Sequence, residues 1–411
     1  MNPVQSPKDS AGGPADRKRA LDSGGLQGEV AELEREGLRR KLRIVSTPSG
    51  PEIGLDGRTL VNFGSNNYLG LADHPEVARA AGEATARYGT GAGASRLISG
   101  NHELYARLEK ALAEFKQTES ALVFSTGYMA NLGIVCALAG EGDVVVADRL
   151  SHASLVDACR LSGARMLVFP HNDLDRLDAV LTRHRARYRR ALIVTEGLFS
   201  MDGDSSPVAG LAEIALKHDA WLLVDDAHAT GVLGPDGRGS FEHAGIRPGP
   251  KTIQMGTLSK ALGSLGGFIA GSRELVELLV NRSRTFVYTT GLPAGCVAAS
   301  LAALEILRRE PGRCRRLAEI SARVRASLKD AGMTVNAGEG PIIPVTLGGN
   351  ARVMRWMAAL SDRGLFVPGI RPPTVPQGSA RLRISLMASH TDEHLDRLVS
   401  ACALLAKEER G

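Results

Sequence analysis

Trp221-Leu222-Leu223-Val224-Asp225-Asp226-Ala227-His228 runs from bulky apolar residues straight into two acids and a histidine. A short apolar run cut off by charge is the pattern of a strand buried on both faces, with its end opening onto a site. Thr252-Ile253-Gln254-Met255-Gly256-Thr257-Leu258-Ser259-Lys260 repeats the pattern one unit further on, and the runs at 121–124, 144–147, 166–169, 191–195 and 267–270 extend it outward. Helical stretches of roughly 10–15 residues alternate with these strands, which means βαβ units and a sheet covered on both faces. The fold class expected is α/β, a large domain with a mostly parallel seven-stranded sheet between helices.

Beyond Pro293 the texture changes. A long helical stretch at 294–309 leads to helices near 314–331, 351–363 and 391–409, which alternate with extended pieces near 342–347 and 380–386. This predicts a smaller C-terminal α+β domain over 301–411, with the large domain over 61–300. The first residues are rich in Gly, Pro and Ser and poor in large apolar side chains, so 1–28 is expected to be a disordered tail. The segment 29–60 is expected to hold a helix over 30–43, docked on the main body, followed by an extended piece.

The 411 residues carry 50 Lys+Arg against 45 Asp+Glu, a net charge of +5, with 43% apolar and 23% charged residues. Such a balance excludes wholesale disorder, and +5 spread along this length is too dilute to follow a nucleic-acid backbone. Five cysteines with no C-x-x-C pair argue against a disulfide framework and for a reducing compartment. The longest uncharged runs, 120–140 and 285–304, are broken by glycines, hydroxyl residues and Asn131 or Pro293, so no membrane span is expected and the cytoplasm fits best.

Several familiar motifs fail on context. Gly89-Thr90-Gly91-Ala92-Gly93-Ala94 matches G-x-G-x-x-A but follows a helical stretch, where a dinucleotide site needs a strand. No Gly-Lys dipeptide exists, hence no Walker A loop. His390-Thr391-Asp392-Glu393-His394 matches an inverted zinc-protease pattern, yet Thr391 reads as a helix N-cap that leaves His390 outside the helix. No metal site is expected.

In an open parallel sheet, ligands bind beyond the carboxyl ends of the strands. The residues found there are Ser125 to Asn131, a small-residue turn opening a helix; Asp148 and His152; Glu196 and Ser200; Asp225 and His228; and Thr257 with Lys260. Each has an ordinary alternative: a plain turn, an interior histidine, a structural ion pair for the acids, a Lys reaching solvent. Taken together, a Lys in an apolar segment, an acid at a strand end, a helix N-terminus for a phosphate and a His able to lie over a ring are what pyridoxal 5'-phosphate requires. Lys260 would hold the cofactor through its amine, Asp225 would keep the pyridine nitrogen protonated, and His228 would reach the phenolic oxygen.

At these residues the sequence resembles the α-oxoamine synthases of the fold-type-I pyridoxal phosphate transferases. The likeness covers about 34–404 and rests on Asn62-Phe63-x-Ser65-Asn66-x-Tyr68-Leu69-Gly70, Gly91-Ala92-Gly93-x-Ser95-Arg96-Leu97-Ile98-Ser99-Gly100, Asp225-Asp226-Ala227-His228 and Thr257-Leu258-Ser259-Lys260. It implies that Gly127 and Tyr128 hold the cofactor, His152 stacks on its ring, Ser200 and His228 bond its phenolic oxygen, Glu196 lies nearby and Thr257 contacts its phosphate. It also implies a homodimer with shared active sites, in which Thr290 reaches the partner's phosphate. The segments 370–376 and 381–386 resemble one branch of the family, for which Arg40, Asn66, His152, Arg371, Thr374 and Arg383 would bind substrate; a solvated role stays open for Arg40 and Arg371. That branch condenses L-alanine with pimeloyl-CoA or the acyl carrier protein thioester, giving 8-amino-7-oxononanoate, CO2 and the free thiol carrier, in biotin formation. The alternatives are a sister enzyme using glycine or serine with another acyl-CoA and, more remotely, a non-catalytic pyridoxal-phosphate-sensing regulator.

Overall fold

The structure, a computed structural model, describes residues 25–409. The first two strands form a hairpin, β1 (Glu52–Leu55) and β2 (Arg58–Asn62). The large sheet follows with β3 (Ser120–Phe124), β4 (Val144–Asp148), β5 (Arg165–Phe169), β6 (Ala191–Glu196), β7 (Trp221–Asp225), β8 (Thr252–Thr257) and β9 (Gly267–Gly271). The C-terminal part adds β10 (Ile342–Gly348), β11 (Leu365–Phe366), β12 (Gly369–Ile370) and β13 (Ala380–Ser385).

The seven strands lie in the order β3-β9-β8-β7-β6-β4-β5. The pairs from β8 through β7, β6 and β4 to β5 are parallel, while β9 runs antiparallel to both β8 and β3. Side chains alternate across the sheet. Val145, Ala147, Leu192, Val194 and Leu223 pack on one face with the helices Gly127–Leu138 and Ala153–Leu161, and Val144, Val146, Ile193, Leu222 and Val224 pack on the other with Leu174–His184 and Val208–Lys217. Burial on both faces explains why these strands are uninterrupted apolar runs. A further core joins the helices Glu103–Phe115 and Ala294–Arg309 to the antiparallel sheet β10-β13-β12 and its helices, so hydrophobic packing is continuous from the large sheet into the C-terminal part. β11 pairs in parallel with β2, which places the hairpin with the C-terminal part as well.

The N-terminal expectation needs correcting. The helix expected over 30–43 instead spans Gly25–Arg35. It ends because Gly37 takes φ of +66°, with its N–H bonded to Glu34 O while the N–H of Leu38 reaches Leu33 O, a Schellman closure that only a residue free of Cβ strain makes cheaply. The helix does not dock: none of its residues is buried, and Leu26, Val30 and Leu33 stay exposed. Of the tail expected over 1–28, residues 1–24 lie outside the described residues, and the remainder opens this helix. Among the described residues, no helix is long and apolar enough to cross a membrane.

Candidate active site

Four adjacent strands end in buried polar residues: β4 in Asp148, β6 in Glu196, β7 in Asp225 and β8 in Thr257. Parallel strands deliver their ends to one edge, so the four groups gather where an open sheet binds ligands.

Lys260 stands three residues beyond β8. Its amine donates to His228 Nε2 at 2.7 Å, His228 Nδ1 is 2.7 Å from the Tyr68 hydroxyl, and that hydroxyl donates to Asn66 Oδ1 at 3.1 Å. One proton order satisfies the whole chain: Lys260 donates to a neutral imidazole, which donates through Nδ1 to Tyr68. Burial holds the His228 pKa well below its ordinary value, and the charges of Lys260 and Arg383 push the same way. Burial likewise lowers the Lys260 amine to about 8, outweighing Asp225 and Glu196, which oppose the shift. An amine so placed is partly unprotonated near neutral pH, as a nucleophile or base must be.

Asp225 is fixed by uncharged donors. Its Oδ2 accepts from Asn131 Nδ2 at 2.7 Å and its Oδ1 from the Ala227 N–H at 2.9 Å. Asn131 also donates to Ser154 Oγ at 2.9 Å, and Ser154 meets His152 Nδ1 through its hydroxyl at 2.8 Å and its N–H at 3.2 Å. Asp225 and His152 are therefore linked through two small polar side chains. The protein packed around the His152 ring lowers its pKa, against the opposing pull of Asp225. The structural ion pair weighed for the acidic pair belongs to Asp226 instead, whose carboxylate meets Lys116 Nζ at 2.8 Å with both side chains fully buried. Glu196, buried beside Asp225, is pushed well above the usual carboxylate range by burial and by that neighbouring charge.

The helix Gly127–Leu138 opens beside Thr257. Thr126 caps it by accepting from the Met129 N–H at 3.1 Å, and the Thr257 hydroxyl donates to Gly266 O at 2.9 Å. A Cβ on Gly267 would lie 2.6 Å from Gly127 Cα, so only glycine lets β9 approach this first turn. A half-buried amine, a pinned carboxylate, an imidazole and a glycine-lined helix start beside a hydroxyl make a donor set that fits pyridoxal phosphate.

The other expected residues fall in three places. Ser200 donates its N–H to Glu196 Oε2 at 3.2 Å, and its carbonyl accepts from Arg383 Nε at 2.6 Å; Arg383 also reaches Asn66 Oδ1 at 3.2 Å, joining the chain that ends at Lys260. Tyr128 and Thr290 are exposed; the Tyr128 phenol donates to the Asp157 carboxylate, and Thr290 O accepts from Ser125 Oγ at 3.2 Å. Arg40 donates to Thr374 Oγ1 at 3.2 Å and Arg371 to Gly37 O, a separate group beside the N-terminal segment. The zinc-type motif dissolves: Thr391 caps its helix with His394, while His390 is buried, accepts from the Met387 N–H at 3.0 Å and is lowered by burial to about 3. Sequence reasoning gave no role to Tyr68, Asn131 or Ser154. A lone Asn in the apolar helix sequence Gly127-Tyr128-Met129-Ala130-Asn131-Leu132-Gly133-Ile134 was the available signal, since a buried amide demands a partner.

Comparison with known proteins agrees with this geometry. The family model for aminotransferase class I and II matches residues 58–402. An 8-amino-7-oxononanoate synthase of Geobacter sulfurreducens is 50% identical over 385 residues, 93% of this chain and 98% of that protein. Serine palmitoyltransferase of Sphingomonas wittichii superposes with a TM-score of 0.87 at 34% identity, covering 93% of this chain and 96% of that one. A high-resolution structure of SPT with PLP superposes with a TM-score of 0.89 at 33% identity, covering 94% and 98%. Half of the aligned residues shared with the one relative, and a backbone shared with the other, mean that the chain belongs to the aminotransferase class I and II family and, within it, to the α-oxoamine synthases.

Proposed function

We propose that the chain binds pyridoxal 5'-phosphate and condenses L-alanine with pimeloyl-CoA, or the pimeloyl-acyl carrier protein thioester, to 8-amino-7-oxononanoate. Atoms balance when alanine loses its carboxyl group as CO2, a C–C bond forms between its α-carbon and the acyl carbonyl, and the C–S bond breaks to free the thiol carrier. The relative at 50% identity over nearly the whole chain supports this choice of substrates. The observation that carries the reading is the Lys260 amine, lowered to about 8 and bonded to His228, beside a carboxylate held by Asn131 and Ala227.

Bound pyridoxal phosphate supplies an electron sink for the pair left on the amino acid's α-carbon. Lys260 accepts the α-proton, and His228, itself fixed by Tyr68, orients the amine for that transfer. Asp225 keeps a proton at the ring nitrogen, while Asn131 and the Ala227 N–H hold the carboxylate in position. His152 donates to the incoming thioester carbonyl, and Arg383 holds the amino acid's carboxylate. Gly127 and Tyr128 hold the cofactor, Thr257 contacts its phosphate, Ser200 and Glu196 border the ring, Arg40, Asn66 and Thr374 line the acyl path, and Arg371 is a second candidate beside Arg383 for clamping a carboxylate. We further propose a cytoplasmic homodimer in which the exposed Thr290 reaches the neighbouring site.

Incubating the purified protein with pyridoxal phosphate, each of alanine, glycine and serine, and a panel of acyl-CoA and carrier-protein thioesters tests this. Mass spectrometry should find 8-amino-7-oxononanoate from alanine and pimeloyl thioester, and Lys260→Ala should lose the visible absorbance band along with turnover. The likeness to serine palmitoyltransferase supplies a second reading, serine with another acyl-CoA such as palmitoyl-CoA. Turnover with serine and palmitoyl-CoA but none with alanine would establish that reading instead.

A further inference from the structure

His171 lies outside the residues to which the reaction above gives a role, yet it joins two of the loops that carry them. Its Nδ1 lies 3.0 Å from Asp148 Oδ1 at the end of β4, and its Nε2 lies 2.7 Å from Asp204 Oδ2 in the loop after β6. Both ring nitrogens facing carboxylates require both to donate, which is the imidazolium form. Asn172 repeats the bridge: its N–H donates to Asp148 Oδ2 at 2.9 Å, and its amide donates to Asp204 Oδ2 at 3.1 Å and to Ser205 O at 3.2 Å. Asn172 takes φ of +56° to do so, a left-handed conformation that asparagine tolerates better than most residues. The His171 and Phe199 rings meet at right angles with their centroids 4.4 Å apart, which fixes the imidazole on a third side.

Each end of the bridge leads to the site. Asp148 Oδ1 also accepts the Leu150 N–H at 2.8 Å, and its carbonyl accepts the Ser151 N–H at 3.1 Å, which shapes the turn delivering His152. Asp204 closes the loop that starts at Ser200, through the Phe199 N–H bond to Asp204 O at 2.9 Å. The charged groups facing His171 are these two carboxylates, with Asn172 and Phe199 as its uncharged neighbours.

We propose that His171 is a positioning residue: as a doubly bonded imidazolium it ties the turn Asp148–His152 to the loop Ser200–Asp204 and so sets the separation of His152 and Ser200 across the ring site. The proposal rests on the pyridoxal phosphate reading for what those two side chains face. The imidazolium form persists through the neutral range, because the two carboxylates raise the His171 pKa to about 10 against the opposing effect of burial.

Hydrogen exchange on the full chain, read without added pyridoxal phosphate and again with it, tests the tie. His171→Gln, which keeps a donor but no charge, should speed exchange at least tenfold at the Leu150 and Ser151 amides and at those of Phe199 and Gly203 together. Asp204→Asn, a milder change at a part-exposed carboxylate, should open only the 199–203 amides. With cofactor present, His171→Gln should retain the visible band, shift the pH midpoint of that band, and lower kcat at least fivefold while leaving the KM for the thioester within twofold. Exchange confined to the 170–173 turn, or a lowered melting temperature with spectrum and kcat unchanged, would overturn the proposal. Absence of a visible band in the wild-type protein would defeat the cofactor reading instead, and the exchange data would still decide the tie.

Discussion

Asp225 holds a negative charge with two hydrogen-bond donors that are both neutral, Asn131 Nδ2 and the Ala227 N–H. Its charge is thereby left to act on whatever lies in front of it, whereas Asp226 spends its charge on Lys116. Asp225→Asn should accordingly leave the fold and cofactor uptake by Lys260 intact while reducing kcat by on the order of 10²–10³. Asn131→Ala, which removes one donor and leaves the charge, should cost about tenfold. Steady-state kinetics with an absorbance spectrum of each variant checks both, and equal losses would show that the amide matters as much as the charge. His171 gives a second expectation at this scale, now for stability. Its folded pKa of about 10 lies above the ordinary histidine value of 6.5, so its stabilising contribution is complete below pH about 6.5 and fades as pH rises through about 10. The gap in melting temperature between wild type and His171→Phe should thus be widest in mild acid and narrow steadily toward pH 10. A gap independent of pH would mean that the ring contributes through packing on Phe199 alone.

Elements place these residues, and one close backbone approach at the site is β9 against the start of the helix Gly127–Leu138. Gly267→Ala would set a Cβ 2.6 Å from Gly127 Cα and 2.7 Å from both Gly127 N and Thr126 O. Those neighbours are backbone atoms that cannot swing aside, so the helix start must move. The expected outcome is a rise of at least tenfold in the dissociation constant for pyridoxal phosphate, measured by equilibrium dialysis, with a smaller change in the KM for alanine. The same elements show what the sequence discloses. Strands β4, β6, β7 and β8 were legible because burial on both faces demands continuous apolar runs, and their last residues were legible because charge at such an end is costly without a purpose. The reversed direction of β9 was not, since its run looks like the others and direction is set by the turn Leu258–Gly266 and by pairing with β3. Pairing of β2 with β11 was hidden as well, being a contact across some three hundred residues of chain. The early end of the first helix was missed at Gly37, whose left-handed turn was available to be read. Within the site, Lys260, Asp225 and His152 stood at strand ends, while Tyr68 enters from 160 residues before His228 and Asn131 from 94 before Asp225. Periodicity carries no record of such separations.

At the scale of the whole molecule, the loop 199–205 is gripped from two sides. His171 and Asn172 hold Asp204 from the large sheet, while β13 of the C-terminal sheet supplies Arg381 to Asp202 at 2.6 Å and Arg383 to Ser200 O at 2.6 Å. A shift of the C-terminal sheet relative to the large one would therefore be felt at Ser200. The Arg381–Asp202 pair is well shielded on the arginine side, with relative exposures of 7% and 24%, so it is expected to count for more than a surface pair. Its removal can be isolated from Arg383, which contacts the site itself. A double-mutant cycle with Arg381→Gln and Asp202→Asn should give a coupling of about 1–2 kcal/mol in unfolding free energy, the range expected of side chains in direct contact. If the pair transmits position as well as stability, each single variant should also raise the KM for alanine severalfold, and the double variant should do so no further than either alone. Strict additivity in KM would mean that Arg381 and Asp202 act on the substrate independently of their contact with each other.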